Sequence, residues 1–165
     1  MEIIKPEELE MKFFARIGLD WFLVSAEKDG KMNALTASWG QMGQLWNKWV
    51  VTIYIRPQRY TKEFIDHSDR FSLSFFNGKH DEMSFIGTNS GRDIPMKTEK
   101  AGLHTEYIDG VPSFKEANLI FICRKLYVQP LQKECFLDPN LADRNYRKGD
   151  FSVAYIAEIE KIYRR

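Results

Sequence analysis

A run of short β-rich segments, each cut off by a turn signal, constrains this 165-residue chain more than any other feature. Trp21–Ala26 reads as a strand, and Asp29-Gly30 behind it is a hairpin signal, because a two-residue type I′ turn needs positive φ at both positions. Met32–Trp39 is the return strand, and Gly40 and Gly43 mark a loosening of the backbone after it. Residues 49–55 (WVVTIYI) are β-rich throughout, as in a strand buried on both faces. Pro57 stops that strand, since proline cannot donate to a ladder. Residues 71–76, 104–108 with Asp109-Gly110 behind them, 118–128 and 152–162 complete the set. Helical segments are short: residues 7–17, with acidic residues in the first turn where they suit the helix dipole, and 61–65. Residues 79–102 read as short helices and loops, and 134–149 as an irregular polar connection. Roughly seven strands with few helices predict a mostly β fold, a closed or nearly closed barrel, in a single domain over residues 1–165.

Charge narrows the function. Lys plus Arg is 24 against 23 for Asp plus Glu, a formal net charge of +1. That balance gives no general attraction to nucleic acid or to anionic membranes. The 12 Phe, 7 Tyr and 4 Trp supply large apolar side chains for a core or a subunit interface. Of the two cysteines, Cys123 lies in an apolar run and reads as a small buried hydrophobe, and the pair makes no disulfide framework. The first eight residues carry acid and proline where a signal peptide needs base and an apolar run, and no stretch nears ~18 apolar residues. The expected location is the cytoplasm, with no membrane partner.

Several familiar sites are missing. There is no Gly-x-Gly-x-x-Gly, no phosphate-binding Walker loop and no Gly-x-Ser-x-Gly elbow. His67, His80 and His104 have no metal-ligand spacing, so no metal site is expected. Three polar clusters remain. In the first, Asn33 to Gly40, a strand puts Thr36 and Ser38 on one face with Ala34, and Leu35, Ala37 and Trp39 on the other. Small residues there let a flat ligand approach the backbone, although a strand with Thr and Ser facing water has the same pattern. In the second, Arg56, Arg59, Tyr60 and Thr61 gather where a strand gives way to a helix, a place suited to an anion. A Pro turn with solvated arginines and Thr61 as N-cap is the plain alternative. The third is Ser90-Gly91-Arg92-Asp93 with Lys97, which offers more cations to the same anion or an ordinary i, i+4 Asp–Lys pair.

In order along the chain, Asn33-x-x-Thr36-x-Ser38-Trp39-Gly40, Trp46, Tyr54-x-Arg56-Pro57-Gln58-Arg59-Tyr60-Thr61 and Phe71-x-Leu73-Ser74-Phe75-Phe76 resemble the flavin reductase-like, FMN-binding split-barrel family. Within it the chain looks closest to the flavoredoxin-type branch. Gly87-Thr88-x-Ser90-Gly91-Arg92-Asp93, Gly110-Val111-Pro112-x-Phe114, Phe136-Leu137-Asp138-Pro139 and Tyr155-Ile156-Ala157-Glu158-Ile159 agree with it. The resemblance implies a Greek-key split β-barrel that works as a homodimer, with FMN bound non-covalently at the subunit interface. It implies that Thr36, Ala37 and Ser38 lie against the isoalloxazine, with Asn33, Trp39 and Arg56 nearby. Arg59, Tyr60 and Thr61 would take the phosphate. Phe75, Phe76 and Asn77 would line the ring and ribityl region, and Ser90, Arg92 and Lys97 would close over the phosphate side.

Two departures stand on the final strand: Ser152, near where related sequences often carry His, and Ala157, where they carry Gly. The first removes a titratable donor. The flavin itself does redox chemistry, so no catalytic side chain is required. The expected activity is that of an NAD(P)H-dependent flavin reductase-like oxidoreductase, with NAD(P)H as co-substrate and free flavin or a redox protein as possible partner. A flavoredoxin-type electron carrier without nicotinamide turnover is the alternative, and a binding module without redox turnover a third reading.

Overall fold

Hairpins account for most of the chain. The computed structural model describes residues 1–165 and orders the elements as β1 (Glu2–Ile4), α1 (Phe13–Gly18), β2 (Phe22–Lys28), β3 (Lys31–Ala37), β4 (Gly40–Leu45), β5 (Lys48–Ile55), α2 (Thr61–His67) and β6 (Arg70–Phe75). Then follow α3 (His80–Thr88), α4 (Lys97–Lys100), β7 (Thr105–Ile108), β8 (Val111–Phe114), β9 (Leu119–Pro130), α5 (Pro139–Asn145) and β10 (Val153–Arg164). The β2–β3 hairpin pairs Lys28 with Lys31 across Asp29 and Gly30, whose φ values of 52° and 71° are those of the expected turn.

The main sheet is antiparallel throughout, in the order β3-β2-β6-β9-β10-β5-β4, with β1 added to β10. Its edge strands β3 and β4 are neighbours in sequence, separated by Ser38 and Trp39 alone. Three peptide steps reach about 11 Å, so the sheet has to curl until its edges nearly meet. Its edges are not hydrogen-bonded to each other, and the barrel is split there. The link from β5 to β6 through α2 skips two strands, a crossover of the Greek-key kind.

Strand alternation fills two cores. Phe22, Val24, Leu35, Ile53, Phe71, Phe75, Phe121 and Tyr155 point into the barrel. Leu23, Phe76, Ile120 and Ile122 point outward and are covered by α3 and the β7–β8 hairpin through Met83, Ile86 and Phe114. This is why β2 and the first half of β9 read as nearly continuous apolar runs, while β6 alternates its rings and Leu73 with buried serines. Each fully buried Phe contributes about 1.5–3 kcal/mol relative to exposure.

Four expectations need correction. Residues 7–17 are not one helix: a 3-10 turn at Pro6–Glu8 is followed by an irregular stretch, and the α-helix is confined to α1. Leu9 and Met11, two apart, pack against the barrel core there, so tertiary contact overrides the local pattern. Gly40 and Gly43 lie in strand β4, and Gly40 fits because a Cβ would stand 3.1 Å from the Thr52 carbonyl oxygen of β5. The 134–149 connection contains α5, with Asp138 accepting from the Asn140 N–H at 3.0 Å and Pro139 in the first turn. Finally, β5 is not buried on both faces: Val51, Ile53 and Ile55 are inside, while Thr52 and Tyr54 are half-exposed.

Candidate functional site

At the split, β3 and β5 leave a cleft of about 160 Å³. Thr36, Ala37, Ser38 and Trp39 make one wall, and Tyr54, Ile55, Arg56 and Arg59 the other. Residues 36–38 carry small side chains on this wall, with Ala37 buried and Thr36 and Ser38 half-exposed. The cleft holds no carboxylate and no histidine. The hydroxyl of Thr36 is committed elsewhere. It donates to the Met83 carbonyl at 2.5 Å, and a Cβ on Gly87 would come within 3.1 Å of Thr36 Cβ, so this side chain holds β3 against α3.

Behind the cleft two cations converge on the end of α3. The Arg59 guanidinium donates to the Gly87 carbonyl at 3.0 Å. Lys97, only 4% exposed, donates through Nζ to the carbonyls of Ile86 and Asn89, both at 2.7 Å. The Asp93–Lys97 pair allowed by their spacing does not form, because the ammonium turns to these carbonyls instead. Burial, and then the charge of Arg59, push Lys97 down to about 8, and burial lowers Arg59 as well. No carboxylate contributes to either group. Lys97 is buried and Arg59 half-buried, and a cation withdrawn from water without a counter-charge is costly, so this corner suits an anion.

Asn33 and Thr61 form a second pair, Thr61 opening α2 two residues after Arg59. Asn33 is buried and donates Nδ2–H to Thr61 Oγ1 at 3.0 Å, so the Thr61 hydroxyl, used as an acceptor, keeps its own proton free to donate. A Cβ on Gly91 would lie 2.5 Å from Asn33 Oδ1, which is why only glycine lets the 90–92 loop close here. Ser90 Oγ accepts from the Arg92 N–H at 3.1 Å and fixes that loop. Arg92 lies 4.7 Å over the Tyr60 ring and pairs with Glu63. Beyond Asn33, Tyr60, Arg92 and Met96 border a second groove of about 660 Å³.

Other expected residues are placed differently. Arg56 lines the cleft, but its guanidinium donates to Asp150 and to the Asn145 carbonyl, each at 2.7 Å. It also lies 5.8 Å over Trp39 and 5.1 Å over Tyr146. It anchors the 131–151 segment, and its hydrogen bond holds the Asp150 carboxyl below its ordinary range. Phe75, Phe76 and Asn77 are not in the cleft. Phe75 packs in the barrel between Phe22 and Phe121, at 5.4 and 5.2 Å between ring centroids. Phe76 packs outside it on Phe114, and Asn77 Oδ1 accepts from Arg16 at 2.8 Å. Phe75 ends β6 and Phe76 follows it, and their alternation sends the two rings to the two cores.

The sequence reading missed the aromatic group beside Trp39, formed by Phe136, Tyr146 and Phe151 in a segment with no periodicity to read. The Tyr146 hydroxyl donates to buried Ser152 Oγ at 3.1 Å, so at the position where His was the comparison, a neutral hydrogen bond stands. Ala157 faces the barrel core.

The sequence matches the family described as flavin reductase like domain over residues 14–137. Solved structures share the fold at low identity. An FMN-binding domain of a flavin reductases-like enzyme from Shewanella baltica OS155 superposes with a TM-score of 0.71 at 18% identity, covering 99% of this chain and 76% of that one. Flavoredoxin from Methanosarcina acetivorans gives 0.69 at 19%, covering 88% and 68%. The styrene monooxygenase flavin reductase of Pseudomonas putida S12 gives 0.63 at 16%, covering 88% and 79%. No protein of curated function matches the sequence.

Proposed function

Because this chain belongs to the flavin reductase-like domain family, we propose that it binds FMN in the split of its barrel and acts as an NAD(P)H-dependent flavin reductase-like oxidoreductase. The observation that carries the reading is a half-buried Arg59 beside a buried Lys97, neither paired with a carboxylate, next to a strand of small residues. Arg59, Lys97 and Thr61 hold the phosphate, with Asn33 orienting Thr61. Ala37 and Ser38 present backbone to the ring, and Trp39 and Tyr54 border it. When bound, FMN supplies hydride and electron transfer, which no side chain here supplies.

The same reading includes a homodimer. Trp46 and Trp49 are 56% and 42% exposed at the β4–β5 hairpin, and Trp46 meets Tyr127 of β9 at 6.4 Å between centroids. A second copy covering this apolar surface and the open side of the cleft would remove both from water. Free flavin or a redox protein is the proposed electron acceptor. No helix is long and apolar enough to cross a membrane.

Anaerobic reduction tests the activity. The FMN-loaded protein is expected to lose its visible flavin absorbance with NADH or NADPH and to regain it when free flavin or a ferric complex is added. A flavin that stays oxidised with both nicotinamides, yet is reduced by a protein donor, would reassign the molecule as a flavoredoxin-type electron carrier.

A further inference from the structure

Lys97 is surrounded by groups that do nothing to stabilise its charge except as hydrogen-bond acceptors. From α3 it meets the carbonyls of Ile86 and Asn89. From the turn before α2 it meets the Arg59 cation. From the 90–93 loop the nearby cation, Arg92, is taken up by Glu63, which also pairs with Lys28. On its own turn, Glu99 points to β7 and accepts from the Thr105 N–H at 3.0 Å. The ligand-free site is therefore over-supplied with positive charge, and of the two cations only the lysine can give up its proton near neutrality.

We propose that Lys97, set beside Arg59 on the carbonyls that end α3, makes this site selective for a dianionic phosphate and takes up a proton from solvent as such a ligand binds. The inference rests on the placement of the FMN phosphate argued above. In the free protein Lys97 titrates near pH 8, so above that value it is largely the neutral amine, still donating to both carbonyls. A dianion beside it favours the ammonium and raises its pKa again. The proton comes from water or buffer and ends on Nζ, and no other bond is made or broken. The sign follows: the bound state holds the extra proton, so affinity falls as pH rises above about 8, by up to tenfold per unit. Below about pH 6 affinity falls for a different reason, since the phosphate loses its second charge.

Calorimetric titration of the full chain with FMN, in buffers of differing ionisation enthalpy, reads the proton directly. Uptake of about half a proton per FMN is expected at pH 8, approaching one at pH 9 and small at pH 7. Riboflavin should bind with no uptake. Lys97→Arg keeps the charge and should bind FMN without uptake, and Lys97→Met should lose FMN affinity while keeping riboflavin affinity, which also shows that the variant is folded. Inorganic phosphate should compete with FMN and show the same uptake. Wild-type protein that binds FMN with no buffer-dependent heat at pH 8 to 9 overturns the proposal, whatever the variants do. The phosphate placement itself fails separately, if Arg59→Ala weakens FMN and riboflavin equally.

Discussion

Arg59→Ala is expected to weaken FMN about 10- to 150-fold while leaving riboflavin binding nearly unchanged, because only FMN carries the phosphate. The range corresponds to ~1.5–3 kcal/mol, the size of a charge-assisted hydrogen bond. The guanidinium donates to one carbonyl, Gly87, and has four more N–H groups to offer an anion. Removing it leaves Lys97 as the remaining cation at the site and opens space at the cleft wall rather than in the barrel core. The loss therefore reads on the ligand more than on stability. Fluorescence titrations of both flavins on the same preparation make the comparison internal. Equal losses for the two would remove the phosphate from this corner.

Phe75→Ala should cost about 3–5 kcal/mol of folding stability, read as a fall in the urea midpoint. The ring is fully buried between Phe22 and Phe121, and its removal leaves a cavity that the barrel walls cannot collapse to fill. Against a typical domain stability of about 5–15 kcal/mol that is a large share, so Phe75→Leu, with a smaller expected cost, serves as the folded companion. Flavin affinity per folded molecule should change little in Phe75→Leu. A variant of undiminished stability that no longer binds FMN would mean that this ring lines the cofactor site, as the family resemblance implied.

Phe75 also shows where sequence reading stops. Residues 71–76 were legible as a strand, since alternation and β-branched or aromatic content are local. Which core each ring enters depends on what covers the outer face, and that cover, α3 with the β7–β8 hairpin, comes later in the chain. The hairpin at Asp29-Gly30 was readable because its turn chemistry is written in two residues, whereas Trp46-Asn47 adopts φ of 54° and 57° without a glycine and left β4 unread. At the site, Arg59, Thr61, Asn33 and Lys97 came from the family resemblance, and the structure hydrogen-bonds Asn33 to Thr61 and sets the Arg59 charge near Lys97. Their partners did not: Lys97 is held by main-chain carbonyls, which no side-chain pattern announces, and Arg56 is drawn to Asp150, 94 positions away. Pairings of that span are set by the curl of the sheet.

A crystal structure with FMN at saturating concentration tests the account most directly. Phosphate density should lie within hydrogen-bonding distance of Arg59, Lys97 and Thr61, with the ring beside residues 36–38. Phosphate density in the groove bordered by Tyr60 and Met96, or a cleft filled by side chains while FMN is bound elsewhere, would contradict it.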